Sequence, residues 1–145
     1  MMKLDDLGDR LVAGMADALV VADAQGTIRF WNAGAERIFG FLAAEALGRP
    51  LDIIMPENLR QRHWDGYERT MRTGETRYGA GQLLSVPALR SDGVRISVQF
   101  SILPLPDPAG GLRGIAAVMR DVTDDFELRK RLRRELEQCR RAQTR

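Results

Sequence analysis

The chain has 145 residues, 44% hydrophobic and 29% charged, with a net charge of +2; that suits one domain with its own core, and the charge argues neither for nor against nucleic acid. Its lone cysteine, Cys139, rules out an intramolecular disulfide and CxxC-type metal sites, no apolar run reaches the length of a membrane span, and Asp5, Asp6 and Asp9 do not read as a secretory signal. A cytoplasmic location is expected. In chain order, Leu4, Leu7, Leu11 and Met15 recur at helical spacing and predict a short amphipathic helix over 1–16. Ala18 to Asp23 predicts a buried strand, Ala24-Gln25-Gly26 a turn, and Thr27 to Trp31 the return strand of a hairpin. Asn32 is placed to cap a helix over Ala33 to Phe39 that Gly40 ends. A second short helix is expected over Ala43 to Leu47, and Leu51 to Met55 forms an apolar turn. The longest internal helix runs from Pro56 to about Arg72, with Gly74 at its end.

The remainder predicts β structure. Gly79 to Leu89 is one long strand interrupted near Pro87, Ser91-Asp92-Gly93 a hairpin turn, and Arg95 to Leu103 a strand with Ile96, Val98, Phe100 and Ile102 on one face. Pro104 to Gly111 is a loop, and Leu112 to Arg120 the last strand. Asp121 then opens a C-terminal helix with Leu128, Leu132, Leu136 and Cys139 on one stripe, and Asp121 and Thr123 can each accept hydrogen bonds from exposed amides at its start. Two strands, a helical block, three strands and an exit helix make an α+β domain: a five-stranded antiparallel sheet with helices on one face and an amphipathic helix at each end. The expected organisation is 1–16 as N-terminal helix, 17–123 as core and 124–145 as basic exit helix.

Four segments in this order resemble the PAS superfamily. They are Asn32-Ala33-Gly34-Ala35-Glu36-Arg37-Ile38-Phe39-Gly40 after a strand; Leu47-Gly48-Arg49-Pro50 followed by Pro56-Glu57; Ser91-Asp92-Gly93 between two strands; and Arg120-Asp121-Val122-Thr123 before a heptad-like helix. The resemblance spans about Ala13 to Thr123 and implies a sensory or signal-relay module. Flavin photochemistry in this superfamily needs a cysteine after the Gly48-Arg49 segment, and thioester chromophores need one in the core; Cys139 is in neither place. No phosphate loop, nucleophile elbow or zinc spacing is present, so no enzyme activity is expected.

His63 is the only histidine. Leu59, Tyr67 and Met71 lie at steps of four from it, on one face, while Arg60, Arg62, Asp65, Arg69 and Arg72 occupy the other side. His63 is therefore expected to point inward, where neutral imidazole is a good ligand for iron. Met55-Pro56-Glu57 followed by Arg62-His63 is similar to the stretch leading to the axial histidine in oxygen-sensing haem PAS domains of rhizobial sensor kinases. That resemblance implies haem b on His63, Arg69 near a propionate, and Tyr67, Met71, Gln82, Val98, Phe100 and Ile115 lining the pocket. Gly79-Ala80-Gly81-Gln82 resembles a G-x-G-R strand there, with Gln82 in place of the arginine. Trp64 is a bulky neighbour, and Tyr67 stands one residue further from the histidine than in that pattern. Another small apolar ligand in the same cavity, a packed core histidine and a cofactor-free interaction module remain the alternatives.

The stripes Leu4, Leu7, Leu11, Met15 and Leu128, Leu132 are expected to pair two subunits, or else to pack on their own sheet. Arg129, Lys130, Arg131, Arg133, Arg134, Arg140 and Arg141 read as the solvated face of the exit helix rather than a nucleic-acid surface. A signalling partner or output domain is the expected recipient of the signal.

Overall fold

The computed structural model describes residues 6–76 and 81–144; Leu4, Gly79 and Ala80 of the readings above lie outside them. The elements run α1 (Leu7–Gly14), β1 (Ala18–Asp23), β2 (Ile28–Trp31), α2 (Ala33–Phe39), α3 (Ala43–Ala46), a 3-10 turn (Leu51–Ile54), α4 (Glu57–Thr73), β3 (Leu84–Leu89), β4 (Arg95–Pro106), β5 (Leu112–Asp121) and α5 (Thr123–Gln143). The five strands form one antiparallel sheet in the order β2-β1-β5-β4-β3. The first and last strands of the alternating pattern are thus neighbours at its centre. Ala18 at the start of β1 pairs with Met119 near the end of β5, so α1 enters and α5 leaves beside one another.

Register assigns the faces, because directly paired residues point to the same side. Val20 pairs with Ala117, Met119 with Phe100, and Val98 with Val86. The side carrying Ala18, Val20, Val98 and Met119 is packed against α2, α3 and the 3-10 turn through Ala35, Phe39, Ala46 and Ile54. Phe39, Ile28 and Val98 are the largest fully buried side chains, each contributing roughly 1.5–3 kcal/mol of burial. Trp31 stacks obliquely on Phe39, with centroids 5.4 Å apart. Its indole N–H donates to the Phe41 carbonyl at 3.0 Å, so the polar end of a buried ring is satisfied.

Local signals act as the sequence implies. Asn32 caps α2 through the Ala35 amide, and Gly40 ends it at φ +80°, a conformation costly for any residue with a Cβ. Asn32 does more than cap: its Oδ1 also accepts from Leu19 N–H at 2.8 Å, and its Nδ2 donates to the carbonyls of Val12 at 2.8 Å and Asp17 at 3.1 Å. One buried amide therefore ties α1, β1 and α2 together.

Three expectations are corrected. The strand read as Gly79 to Leu89 is β3 from Leu84, and Pro87 does not interrupt it. β3 is an edge strand, where a missing amide hydrogen need cost no ladder bond. The segment from Pro104 on is not all loop, because β4 continues to Pro106. Pairing with β3 ends at Phe100 while pairing with β5 continues, so among the described residues the prolines occupy a stretch with a strand neighbour on one side only. Finally, Thr123 does not cap α5 with its hydroxyl. That oxygen accepts from Ser97 N–H of β4 at 3.0 Å, while Asp121 accepts from Thr123 N–H at 2.9 Å. The start of the exit helix is stitched to the sheet.

Candidate functional site

α4 presents the face read from its four-residue steps. Tyr67 is buried, and Leu59, His63 and Met71 are half-buried, whereas Arg62, Asp65, Arg69 and Arg72 are exposed. Arg60 departs from that division, being half-buried with its Nε donating to the Met55 carbonyl. Two hydrogen bonds fix the helix over the body. The Tyr67 hydroxyl donates to the Asp23 carbonyl at 2.6 Å, and the Trp64 indole N–H donates to Asp52 Oδ1 at 2.7 Å. The Trp64 ring lies over Gly26, where a Cβ would collide with it; the turn needs glycine for this approach and for its φ of +80°.

His63 is held inside this aromatic group, its ring 5.1 Å from Trp64 and 5.6 Å from Tyr67 between centroids. Burial pushes its pKa below the ordinary imidazole value, against the attraction of the Asp52 carboxylate, which favours the cation. The imidazole is neutral near pH 7 as a result. Its Nδ1 is buried with no hydrogen-bond partner among the described residues, an uncommon condition for a buried polar atom. Burial and the nearby Asp23 carboxylate both push the Tyr67 phenol upward, so it stays a hydrogen-bond donor. Burial would raise the Asp23 carboxyl. The hydrogen bonds from Arg29 and from the Thr27 and Gln25 amides outweigh that and hold it below the usual carboxylate value.

Opposite α4 the packed face of the sheet is only partly covered. Ile115 pairs with Ala22 and Pro104, and Ala22 adjoins the Asp23 carbonyl that receives Tyr67. Tyr67 and Ile115 are thereby brought to the same end of the sheet. Phe100, Ile102 and Ile115 are half-buried, and Val86 is 38% exposed although its partner Val98 is 2% exposed. A strip of apolar side chains thus faces the helix side without a complete cover.

Of the residues expected at the site, His63 and Tyr67 meet in the aromatic group, and Met71 continues their face. Val98, Phe100 and Ile115 share one side of the sheet, with Val98 deep in the core and Phe100 packed against it. Arg69 and Gln82 are exposed, and Gln82 precedes β3 rather than standing in it. Trp64, Asp52, Asp23 and Gly26 were missed as site residues. Their contacts join positions 12 and 44 apart in the chain, which no local period encodes; only the placement of Gly26 in a turn was a usable signal. The donor set fits haem in chemistry: a neutral, half-buried imidazole on the inward face of α4, in a domain whose sheet carries half-covered apolar side chains.

A family model described as the PAS fold matches residues 12–125. The chain belongs to the PAS family. Sensor protein FixL of Bradyrhizobium diazoefficiens is 34% identical over 80% of the chain, and oxygen sensor protein DosP of Escherichia coli is 25% identical over 79%. The chain spans 22% and 14% of those two relatives. The solved PAS domain of a Colwellia psychrerythraea protein superposes with a TM-score of 0.72 at 20% identity, covering 84% of this chain and 99% of that one. At that identity the likeness bears on the fold alone. This PAS domain is a sensory module, related in sequence to the corresponding part of sensor proteins. Among its described residues, no helix is long and apolar enough to cross a membrane.

Proposed function

We propose that this PAS domain is a haem-binding sensor in which His63 is the iron ligand, and that it signals as a homodimer through its terminal helices to an output domain or partner. The observation that carries this reading is the neutral, half-buried His63 on the inward face of α4, its Nδ1 buried with no partner among the described residues. Haem, when bound, supplies an iron that takes neutral imidazole and responds to gases and redox state. The protein's own part is to hold His63 unprotonated, to orient it between Trp64 and Tyr67, and to exclude water with the apolar strip. Arg69, exposed on the same helix, is available to propionates. The relationship to an oxygen sensor protein and to a sensor protein supports this assignment. No catalytic step is assigned to the domain.

The dimer is supported by apolar side chains that the single chain leaves uncovered: Leu11 is 59% exposed and Leu132 52% exposed. If no haem binds, those same helices make the domain a cofactor-free dimerisation module. Titration with haemin tests the assignment. A saturable Soret band at one haem per chain that is lost in His63→Ala supports it. A spectrum identical for wild type and His63→Ala sinks the ligand assignment and leaves the dimerisation module.

A further inference from the structure

α4 is anchored on an anion. Trp64 Nε1 donates to Asp52 Oδ1 at 2.7 Å, the length of a charge-assisted bond. Asp52 sits in the 3-10 turn, and that turn is set firmly on the body of the domain. Ile54 belongs to the core, Leu51 and Ile53 pack against it, and the Leu51 amide donates to the Gly26 carbonyl at 3.2 Å. The Trp64 ring closes this loop of contacts by lying over Gly26. The same ring meets His63 edge-on, 5.1 Å between centroids. Asp52 is half-buried and makes no ion pair among the described residues. Its charge therefore reaches His63 without a cation to cancel it, and favours positive charge there.

We propose that Asp52 is a positioning residue for His63, with two separable parts. Its oxygen holds Trp64, and through that ring fixes the setting of the imidazole. Its negative charge makes His63 a stronger electron donor to iron and so favours the ferric state. A carboxylate near a metal-binding histidine raises the basicity of that ligand. A fixed anion also stabilises the more positive of two oxidation states, the more so where burial weakens solvent screening. Neither part is visible in the sequence around His63, because Asp52 lies 12 positions from Trp64 and is brought to it by the fold. This inference rests on the haem reading above and specifies what tunes its ligand.

Two variants of the whole chain separate the parts. In Asp52→Asn the amide oxygen still accepts from Trp64 while the charge is gone; Asp52→Ala removes both. Each is made in a Trp31→Phe background, where Trp64 is the remaining tryptophan. Trp64 emission is read without haemin, and the midpoint potential is read after loading with haemin. Asp52→Asn is expected to keep the emission of its parent. At the potential that half-reduces the parent, its ratio of ferrous to ferric haem is expected to be about tenfold higher, a rise of about 59 mV in midpoint. Asp52→Ala is expected to show that rise, emission at longer wavelength and about tenfold weaker haemin binding. Asp52→Asn at the parent potential, or Asp52→Ala with the parent emission, overturns this inference while His63-dependent haemin binding keeps the haem reading. If His63→Ala retains the wild-type haemin spectrum, the haem reading itself falls and the inference falls with it.

Discussion

Arg120 and Asp17, 103 positions apart in the chain, share two hydrogen bonds of 3.0 Å, Nε to Oδ1 and Nη2 to Oδ2. The pair joins the two ends of the domain. The Asp17 carbonyl receives the Asn32 amide that also holds α1 through Val12, and Arg120 directly precedes the Asp121–Thr123 knot from which α5 departs. The pair is fork-to-carboxylate but lies at the surface, where salt screens it. Asp17→Asn is expected to speed hydrogen exchange at the Val122 and Phe126 amides, which bond Ser97 and Val122, with little change in the core. Added salt should do the same to wild type and nothing further to the variant; unchanged exchange in Asp17→Asn would mean the knot holds without Arg120.

Asn32 is 4% exposed and serves two amides and two carbonyls. Asn32→Ala strands those groups where water has little access. A loss of about 3–4 kcal/mol in urea denaturation is expected, together with release of α1. A loss below about 1 kcal/mol would show that water or backbone shifts satisfy the groups instead.

Gly26→Ala forces the Trp64 ring off the β1–β2 turn, since the ring is held at its far side by Asp52. The cost expected is about 2 kcal/mol from strain at positive φ and overpacking. In a Trp31→Phe background, where Trp64 is the remaining tryptophan, its fluorescence should move to longer wavelength. Unshifted emission would place the strain elsewhere.

Protonation of His63 is opposed by its burial. Its folded pKa lies below the ordinary 6.5, so the unfolded chain binds the proton more readily and stability rises with pH across that interval. The stability of the neutral form is complete above 6.5 and is lost as pH falls from there toward the lowered value. Asp23, held below its ordinary 3.8, loses its contribution in a separate window as pH falls below 3.8. His63→Phe should flatten the upper slope of denaturation midpoint against pH and leave the lower one. A slope unaltered by His63→Phe would assign it to another group.

The sequence was most legible where structure is periodic. Alternation in Ile96, Val98, Phe100 and Ile102 identified the inward side of β4, and steps of four identified the His63 face of α4. Asn32 and Gly40 marked both ends of α2. Legibility failed where a partner is chosen by approach in space. Pro104 and Pro106 read as loop because their tolerance depends on where β3 stops. Trp64 read as an obstacle, whereas its indole anchors α4 on Asp52. The exposure of Arg69 and Gln82 likewise follows from the path of the chain around α4 and β3.

The central claim, that the His63 imidazole itself is the iron ligand, is tested most directly by chemical rescue. His63→Gly protein is titrated with haemin in the absence and presence of free imidazole, and the Soret band and haem affinity are compared with wild type. The account predicts weakened binding and an altered band in His63→Gly, with imidazole restoring the wild-type spectrum. A His63→Gly variant that binds haemin with the wild-type spectrum and affinity in the absence of imidazole would contradict it.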